Sequence, residues 1–170
     1  LLVIGDLIID HYLWGACNRI SPEAPVQVIN VDHESALLGG AGNVVKNLKA
    51  LGANVDIISV IGNCEISNEL INLLSETGID SKFLVTQKNR LSSKKTRIIA
   101  SQQQVIRYDR ESSDDISIDS QNAIIETFKK IVKNYDVILL SDYGKGIFTS
   151  KLTQSLIRIA KNINKKVLVD

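Results

Sequence analysis

The residues best suited to chemistry in this chain are carboxylates, amides and bases set among glycines. Asp6 and Asp10 follow the apolar run Leu1–Ile4. A carboxylate accepts hydrogen bonds from hydroxyl groups in pairs, which suits a polyol. Spacing alone does not choose between the two, and either could cap a turn instead. Gly39-Gly40-Ala41-Gly42-Asn43 opens a helical pattern. Glycines there let a ligand approach the backbone, and free N–H groups at a helix start favour oxygen ligands. The run fails the dinucleotide spacing Gly-x-Gly-x-x-Gly at its last position, where Val45 stands, and no Gly-Lys-Ser/Thr occurs. Farther on, alternation puts Lys95 and Arg97 on one face of a strand, and Arg107 and Asp109 on one face of the next. Such bases can reach an anionic ligand, or form an exposed, salt-bridged sheet. Ser141-Asp142-Tyr143-Gly144-Lys145-Gly146 ends the inventory. Lys145 between two glycines is free to point at a phosphate, or the segment serves only as an ordinary connection.

The elements that must position these groups are legible as apolar patterns. Leu1–Ile4, Val55–Ile61, Val137–Leu140 and Val167–Val169 are short Val/Ile/Leu runs without polar alternation. Strands buried on both faces of a parallel sheet read this way. Between them, Gly42–Leu51, Ser67–Thr77, Asp119–Lys133 and Thr149–Asn162 carry helical spacing. Asp119 or Ser120 is the expected N-cap of the third, and Thr149 or Ser150 of the fourth. This alternation predicts an α/β fold with helices on both faces of a parallel sheet. In such sheets ligands sit beyond the carboxyl ends of the strands, where Asp6, Asp10 and Lys145 are expected. Two segments break the rhythm, Pro25–Asp32 and Lys94–Asp109. They read as antiparallel strands with one wet face, at about residues 26–32 and 94–109. A small β sheet of that kind is expected to act as a lid.

Composition narrows the classes. A net charge of +1 gives no field to draw the chain to nucleic acid or a membrane surface. No apolar run approaches a membrane span, and Leu1–Ile4 has no basic leader. The basic run Lys161–Lys166 reads as a solvated helix end. Cys17 and Cys64 stand far apart, with only His11 and His33 as further soft ligands. That argues against a zinc site or disulfide framework and fits a reducing cytoplasm.

Three strings in this order carry a resemblance: Arg19-Ile20-Ser21-Pro22-Glu23-Ala24-Pro25, the glycine run Gly39–Asn43, and Leu140-Ser141-Asp142-Tyr143-Gly144-Lys145-Gly146. Gln103-Gln104-Val105-Ile106-Arg107-Tyr108-Asp109 adds to it. Together they resemble the PfkB/ribokinase family of sugar kinases, and within it the heptose-phosphate kinases. The resemblance implies the N-terminal half of a ribokinase-like three-layer α/β/α sandwich with a small β-sheet lid. It implies transfer of the γ-phosphate of Mg·ATP to O1 of D-glycero-D-manno-heptose 7-phosphate, toward ADP-heptose and lipopolysaccharide. Asp10, Gly39, Gly40 and Asn43 would hold the sugar, and Lys95, Gln104, Arg107 and Lys145 are the further substrate contacts it implies. It also implies a homodimer through the lid, with Val28 and Ile106 among the buried positions. The sequence departs from the pattern at Asn63 and Gly42, neither assigned to chemistry.

In this family the catalytic base is an Asp in a Gly-Ala-Gly-Asp motif, which does not occur here. No catalytic residue and no metal ligand is therefore assigned, and ATP and Mg2+ are expected to be bound mostly by residues beyond this sequence. The chain is expected to be the sugar-holding half of an enzyme, silent alone. A non-catalytic sugar-phosphate-binding or dimerisation module is the alternative, as is a kinase of the same family for another sugar. A dinucleotide-dependent oxidoreductase lacks its fingerprint, since Gly5-Asp6-Leu7-Ile8-Ile9-Asp10 does not supply one.

Overall fold

A computed structural model describes residues 1–170. In chain order the elements are β1 (Leu2–Gly5), β2 (Leu7–Ile20), β3 (Gln27–Gly40), α1 (Ala41–Ala50), β4 (Asp56–Gly62), α2 (Glu65–Glu76) and β5 (Leu84–Gln87). Then follow β6 (Ser93–Ala100), β7 (Gln103–Arg110), α3 (Ile118–Ile131), β8 (Val137–Ser141), α4 (Ser150–Asn162) and β9 (Lys166–Val169). Five strands form a parallel sheet in the order β5-β4-β1-β8-β9.

The central strands are apolar on both faces because both faces are covered. Leu2, Ile4, Ile58, Val60, Ile138 and Leu140 pack with Ile124 and Phe128 of α3 and Leu152 and Leu156 of α4. Val3, Ile57 and Ile61 point the other way, onto Val45 of α1 and Ile66, Leu70 and Leu74 of α2. Alternate residues of one strand thus serve opposite layers, and the i, i+4 spacing of each helix supplies the matching stripe. The result is the expected ribokinase-like α/β/α sandwich. No helix is long and apolar enough to cross a membrane.

Two local details differ from the sequence expectation. A short strand, β5, was not expected; its Leu84-Val85-Thr86-Gln87 lies at the sheet edge and is only partly buried. The N-cap of α3 is Ser117, not Asp119 or Ser120. Its Oγ accepts the Ser120 N–H at 3.1 Å, and Gln87 Oε1 accepts both Ser117 N–H and Ser120 Oγ–H at 2.9 Å. The end of β5 therefore sets where α3 starts, a tertiary cue that local sequence does not carry.

The second sheet is the lid, in the order β3-β2-β6-β7. The β6–β7 hairpin is antiparallel, as expected for 94–109; β2–β3 is a second antiparallel hairpin, but β2 and β6 run parallel. The lid is mixed because β6 is reached from β3 only after α1, β4, α2 and β5, a long crossover. One of its two 14-residue strands, β2, was not foreseen. The corresponding residues read as a turn following β1. Likewise the alternation at 26–32 marks only the start of β3, which runs on to Gly40. Asp32-His33-Glu34 is exposed and lacks apolar alternation, so the pattern fades while the strand continues. Asp10 accordingly lies inside a lid strand and not in a turn after β1.

Ser117→Ala is expected to lower the stability of the intact protein by about 1 kcal/mol in urea unfolding, the usual worth of a cap. Asp119→Ala should cost only a few tenths, through the helix dipole. Equal losses would move the cap back to Asp119.

Candidate functional site

The chain crosses from the main sheet into the lid at Asp6, which is 2% exposed. Its N–H donates to Ser141 O at 3.3 Å, and its carbonyl accepts the Ala41 N–H at 2.9 Å. Its Oδ2 accepts the backbone N–H of Tyr143 at 2.9 Å and of Lys145 at 3.2 Å. One residue thus joins the end of β1, the glycine turn before α1, and the loop after β8. Burial pushes the Asp6 carboxyl above its ordinary value, against the pull of those backbone N–H groups. Asp6 fulfils the turn-capping alternative in full.

Asp10 has a different setting. In β2 it stands opposite Leu37 of β3 and Lys95 of β6. Its Oδ1 accepts Arg97 Nη1–H at 2.6 Å, and the Arg97 guanidinium lies 5.2 Å from the Tyr12 ring centre. Its Oδ2 rests against Gly39, where any Cβ would collide with it. Gly40 is the N-cap of α1 at φ 55°, and a Cβ there would press on the Asp6 carbonyl. Both glycines are therefore required, one for the Asp10 carboxylate and one for the backbone turn. Asn43 lies exposed in the first turn of α1.

The bases meet carboxylates at almost every position. Arg107 donates to both Asp109 oxygens, at 3.0 and 3.1 Å. Lys95 Nζ donates to Asp109 Oδ2 at 2.9 Å and lies 3.6 Å from Glu111 Oε2. Lys145 Nζ donates to Glu111 Oε1 at 2.7 Å. A row of alternating charge, Arg107–Asp109–Lys95–Glu111–Lys145, thus runs from the lid to the loop after β8. The Lys95 hydrogen bond holds the Asp109 carboxyl below its ordinary value. The salt-bridged alternative thus holds for Lys95 and Arg107 on the lid, and Glu111, which the sequence analysis did not single out, extends it to Lys145. Gln104 lies at the far end of β7, exposed and about 17 Å along the strand from Asp109 at ordinary strand rise. The structure therefore gathers Asp10, Gly39, Gly40, Lys95 and Lys145 around one corner of the lid. Arg107 stands at the rim and Gln104 outside.

A family model described as pfkB family carbohydrate kinase matches residues 1–170. The chain belongs to this family. It is 59% identical over its full length to the Bifunctional protein HldE of Aliarcobacter butzleri and 49% identical to that of Campylobacter fetus. It spans 36% and 37% of those two proteins, about a third of their length. Among solved structures, Arabidopsis thaliana ribokinase complexed with ribose and ATP superposes with a TM-score of 0.67 at 14% identity, over 99% of this chain and 52% of that one. A carbohydrate kinase from Agrobacterium tumefaciens gives 0.70 at 18%, over 99% and 52%. At these identities the likeness establishes the fold.

A PfkB kinase implies ATP and a divalent metal. No group of three or more His, Cys, Asp or Glu side chains here could hold a metal ion. This chain holds no closed protein cage for a metal, and no step is derived through one.

Two residues near the site escaped the sequence reading. Arg90, in the loop between β5 and β6, is 6% exposed. It donates to the Asp114 carbonyl at 3.0 Å and to the Lys145 carbonyl. Burial pushes its guanidinium below its ordinary value, opposed by the fields of Asp6 and Asp114. Glu111 is the other. Both sit in polar connectors without a pattern; only an unpaired Arg between Asn89 and Leu91 offered a cue.

Arg90→Met should remove two charge-assisted hydrogen bonds, at about 1.5–3 kcal/mol each, and leave Asp6 without a nearby buried cation. Urea unfolding of the intact protein would show this. A loss under about 1 kcal/mol would mean that the Lys145 loop holds its shape without Arg90.

Proposed function

We propose that this chain is the sugar-holding part of an ATP-dependent kinase whose acceptor is D-glycero-D-manno-heptose 7-phosphate, phosphorylated at O1. The observation that carries the proposal is the corner of the lid. A carboxylate with one free oxygen, Asp10, stands over Gly39, the first of two glycines before a helix start. Two lysines, one on the lid and one on the body, converge beside it on a single glutamate. Hydroxyl acceptor and cation pair lie on one side of the sheet, as a phosphorylated polyol requires. The match to proteins called Bifunctional protein HldE supports the same reading, as does the string Arg19–Pro25.

The chain's own contribution is binding and orientation. Asp10 Oδ2 accepts hydroxyl hydrogen bonds while Arg97 holds the other oxygen and neutralises the charge. Gly39 and Gly40 admit the sugar to the backbone, and the exposed Asn43 amide adds a donor and an acceptor. Lys95 and Lys145 meet the 7-phosphate, with Arg107 at the rim. ATP is the phosphoryl donor, as in the family. Phosphoryl transfer is governed by such positioning together with charge stabilisation. The free thiols Cys17 and Cys64 fit a reducing cytoplasm.

The test is turnover of the intact natural protein with ATP on a panel: heptose 7-phosphate, unphosphorylated heptose, fructose 6-phosphate and ribose. Heptose 7-phosphate should give the highest kcat/KM. Asp10→Ala should weaken its binding by about 1.5–3 kcal/mol per hydroxyl bond lost, at nearly unchanged melting temperature. A clear preference for another sugar would assign the chain to another branch of the family. Undiminished sugar affinity in Asp10→Ala would take that residue out of the site.

The lid also leaves Ile20, Val26, Val31, Val105, Ile106 and Tyr108 at least 44% exposed, with β3 and β7 as open edges. Apolar side chains on open edges invite strand or face pairing. We propose a homodimer through residues 26–32 and 96–109, burying Val28 and Ile106. Sedimentation of the intact protein should give a dimer, and Ile106→Glu should shift it to monomer. A monomer at high concentration for the unaltered protein contradicts this.

A further inference from the structure

Glu111 follows the last residue of β7 and belongs to neither sheet. Its Oε1 accepts a hydrogen bond from Lys145 Nζ at 2.7 Å, and its Oε2 stands 3.6 Å from Lys95 Nζ. Lys145 sits in the loop after β8, on the body of the molecule; Lys95 sits in β6, on the lid. The three side chains are 15–18% exposed, so water screens the bridge less than it would a surface pair. Oε2 is enclosed yet has no hydrogen-bond donor of its own. The bridge is therefore complete on the body side and open on the lid side.

The backbone of Lys145 is fixed independently. Asp6 Oδ2 takes its N–H at 3.2 Å, and Arg90 binds its carbonyl. The lysine thus rises from an anchored loop, and through Glu111 it reaches β6 as a second tie to the body beside that of Lys94 to Glu69 of α2 at 2.8 Å. On the lid, Asp109 holds Lys95 from the far side at 2.9 Å. The two ammonium groups lie on either side of the Glu111 carboxylate.

We propose that Glu111 is the positioning residue of the binding corner: it docks the lid on the body and sets the two lysines at the separation needed to grip one phosphate. The second half of this statement rests on the sugar-phosphate reading above; the first does not. A phosphate carries more than one acceptor oxygen and can satisfy both lysines at once, which the single carboxylate does only in part. Glu111 thus holds the empty corner together and leaves an unfilled place in it.

The experiment compares the intact protein with Glu111→Gln and Lys145→Gln by amide hydrogen exchange and by steady-state kinetics. Glutamine keeps the length and the acceptor oxygen and removes the charge. Exchange in β6 and β7 should quicken by about tenfold in each single variant, the loss of one charged hydrogen bond. It should quicken little further in the double variant, while the main sheet and the melting temperature stay near those of the unaltered protein. In Glu111→Gln the KM for sugar phosphate should rise by a similar factor, with kcat within about twofold and the KM for ATP unchanged. Unchanged lid exchange, or a general loosening of lid and main sheet together, overturns the docking role. Quickened lid exchange with an unchanged sugar-phosphate KM overturns the positioning role. If the unaltered protein turns over no sugar phosphate, the functional reading has failed separately, and lid exchange alone decides for Glu111.

Discussion

Everything in this structure that could hold a ligand depends on the buried backbone and carboxylate of Asp6. The main chain must leave a parallel sheet there and enter a second sheet within one residue. A buried chain crossing of this kind strands polar groups, and each must find a partner. Asp6 finds them in Ser141, Ala41, Tyr143 and Lys145, so that the crossing itself draws three distant segments together. One oxygen, Oδ1, remains without a hydrogen bond, as does Ser141 Oγ. The carboxyl is kept at a cost in desolvation, which its raised pKa direction records. That cost is consistent with a residue whose job is to fix a loop and not to be stable for its own sake.

From this junction β2 and β3 are held by apolar contact, with Leu7, Ile9 and Leu38 packed on α1 and α2, while β6 and β7 are held mainly by charge. All residues of β7 are exposed, and β6 is buried only at Ser93, Thr96 and Ala100. What binds the lid near the site is the alternating row from Arg107 to Lys145, three bases against two carboxylates. Pairs at this exposure are individually modest, yet each carboxylate touches two bases and so couples its neighbours. The row has one positive charge in excess. An anion entering it meets an attractive field and bases already oriented, which lowers the ordering cost of binding. The same row explains why a count of bases in the sequence overstates the free positive charge of the corner.

Much of the fold was legible because it rests on local pattern. The buried strands announced themselves by unbroken Val, Ile and Leu, and the helices by apolar spacing, since both follow from burial of known faces. The strand β2 escaped because its apolar residues are interrupted by Asp10, His11 and Gly15, each of which serves a contact outside the strand. Asp10 meets Arg97, His11 meets Glu34 and Thr96, and Gly15 makes room for the Asn30 carbonyl. A strand that spends its positions on such contacts loses its periodicity. Arg90 and Glu111 escaped for a related reason. Their roles come from partners 16 or more residues away, and the polar connectors in which they sit have no pattern to read. Glycines 39 and 40 were read as letting a ligand approach the backbone at a turn. What approaches is partly the protein itself: the Asp10 carboxylate lies over the first and the Asp6 carbonyl over the second.

The account turns on where a sugar phosphate sits, and a crystal structure of the intact protein with heptose 7-phosphate measures this most directly. The phosphate should lie within hydrogen-bond reach of both Lys95 and Lys145 Nζ, and a sugar hydroxyl should donate to Asp10 Oδ2 while Arg97 keeps Oδ1. A phosphate bound away from both lysines, with no sugar hydroxyl on Asp10, would contradict the account.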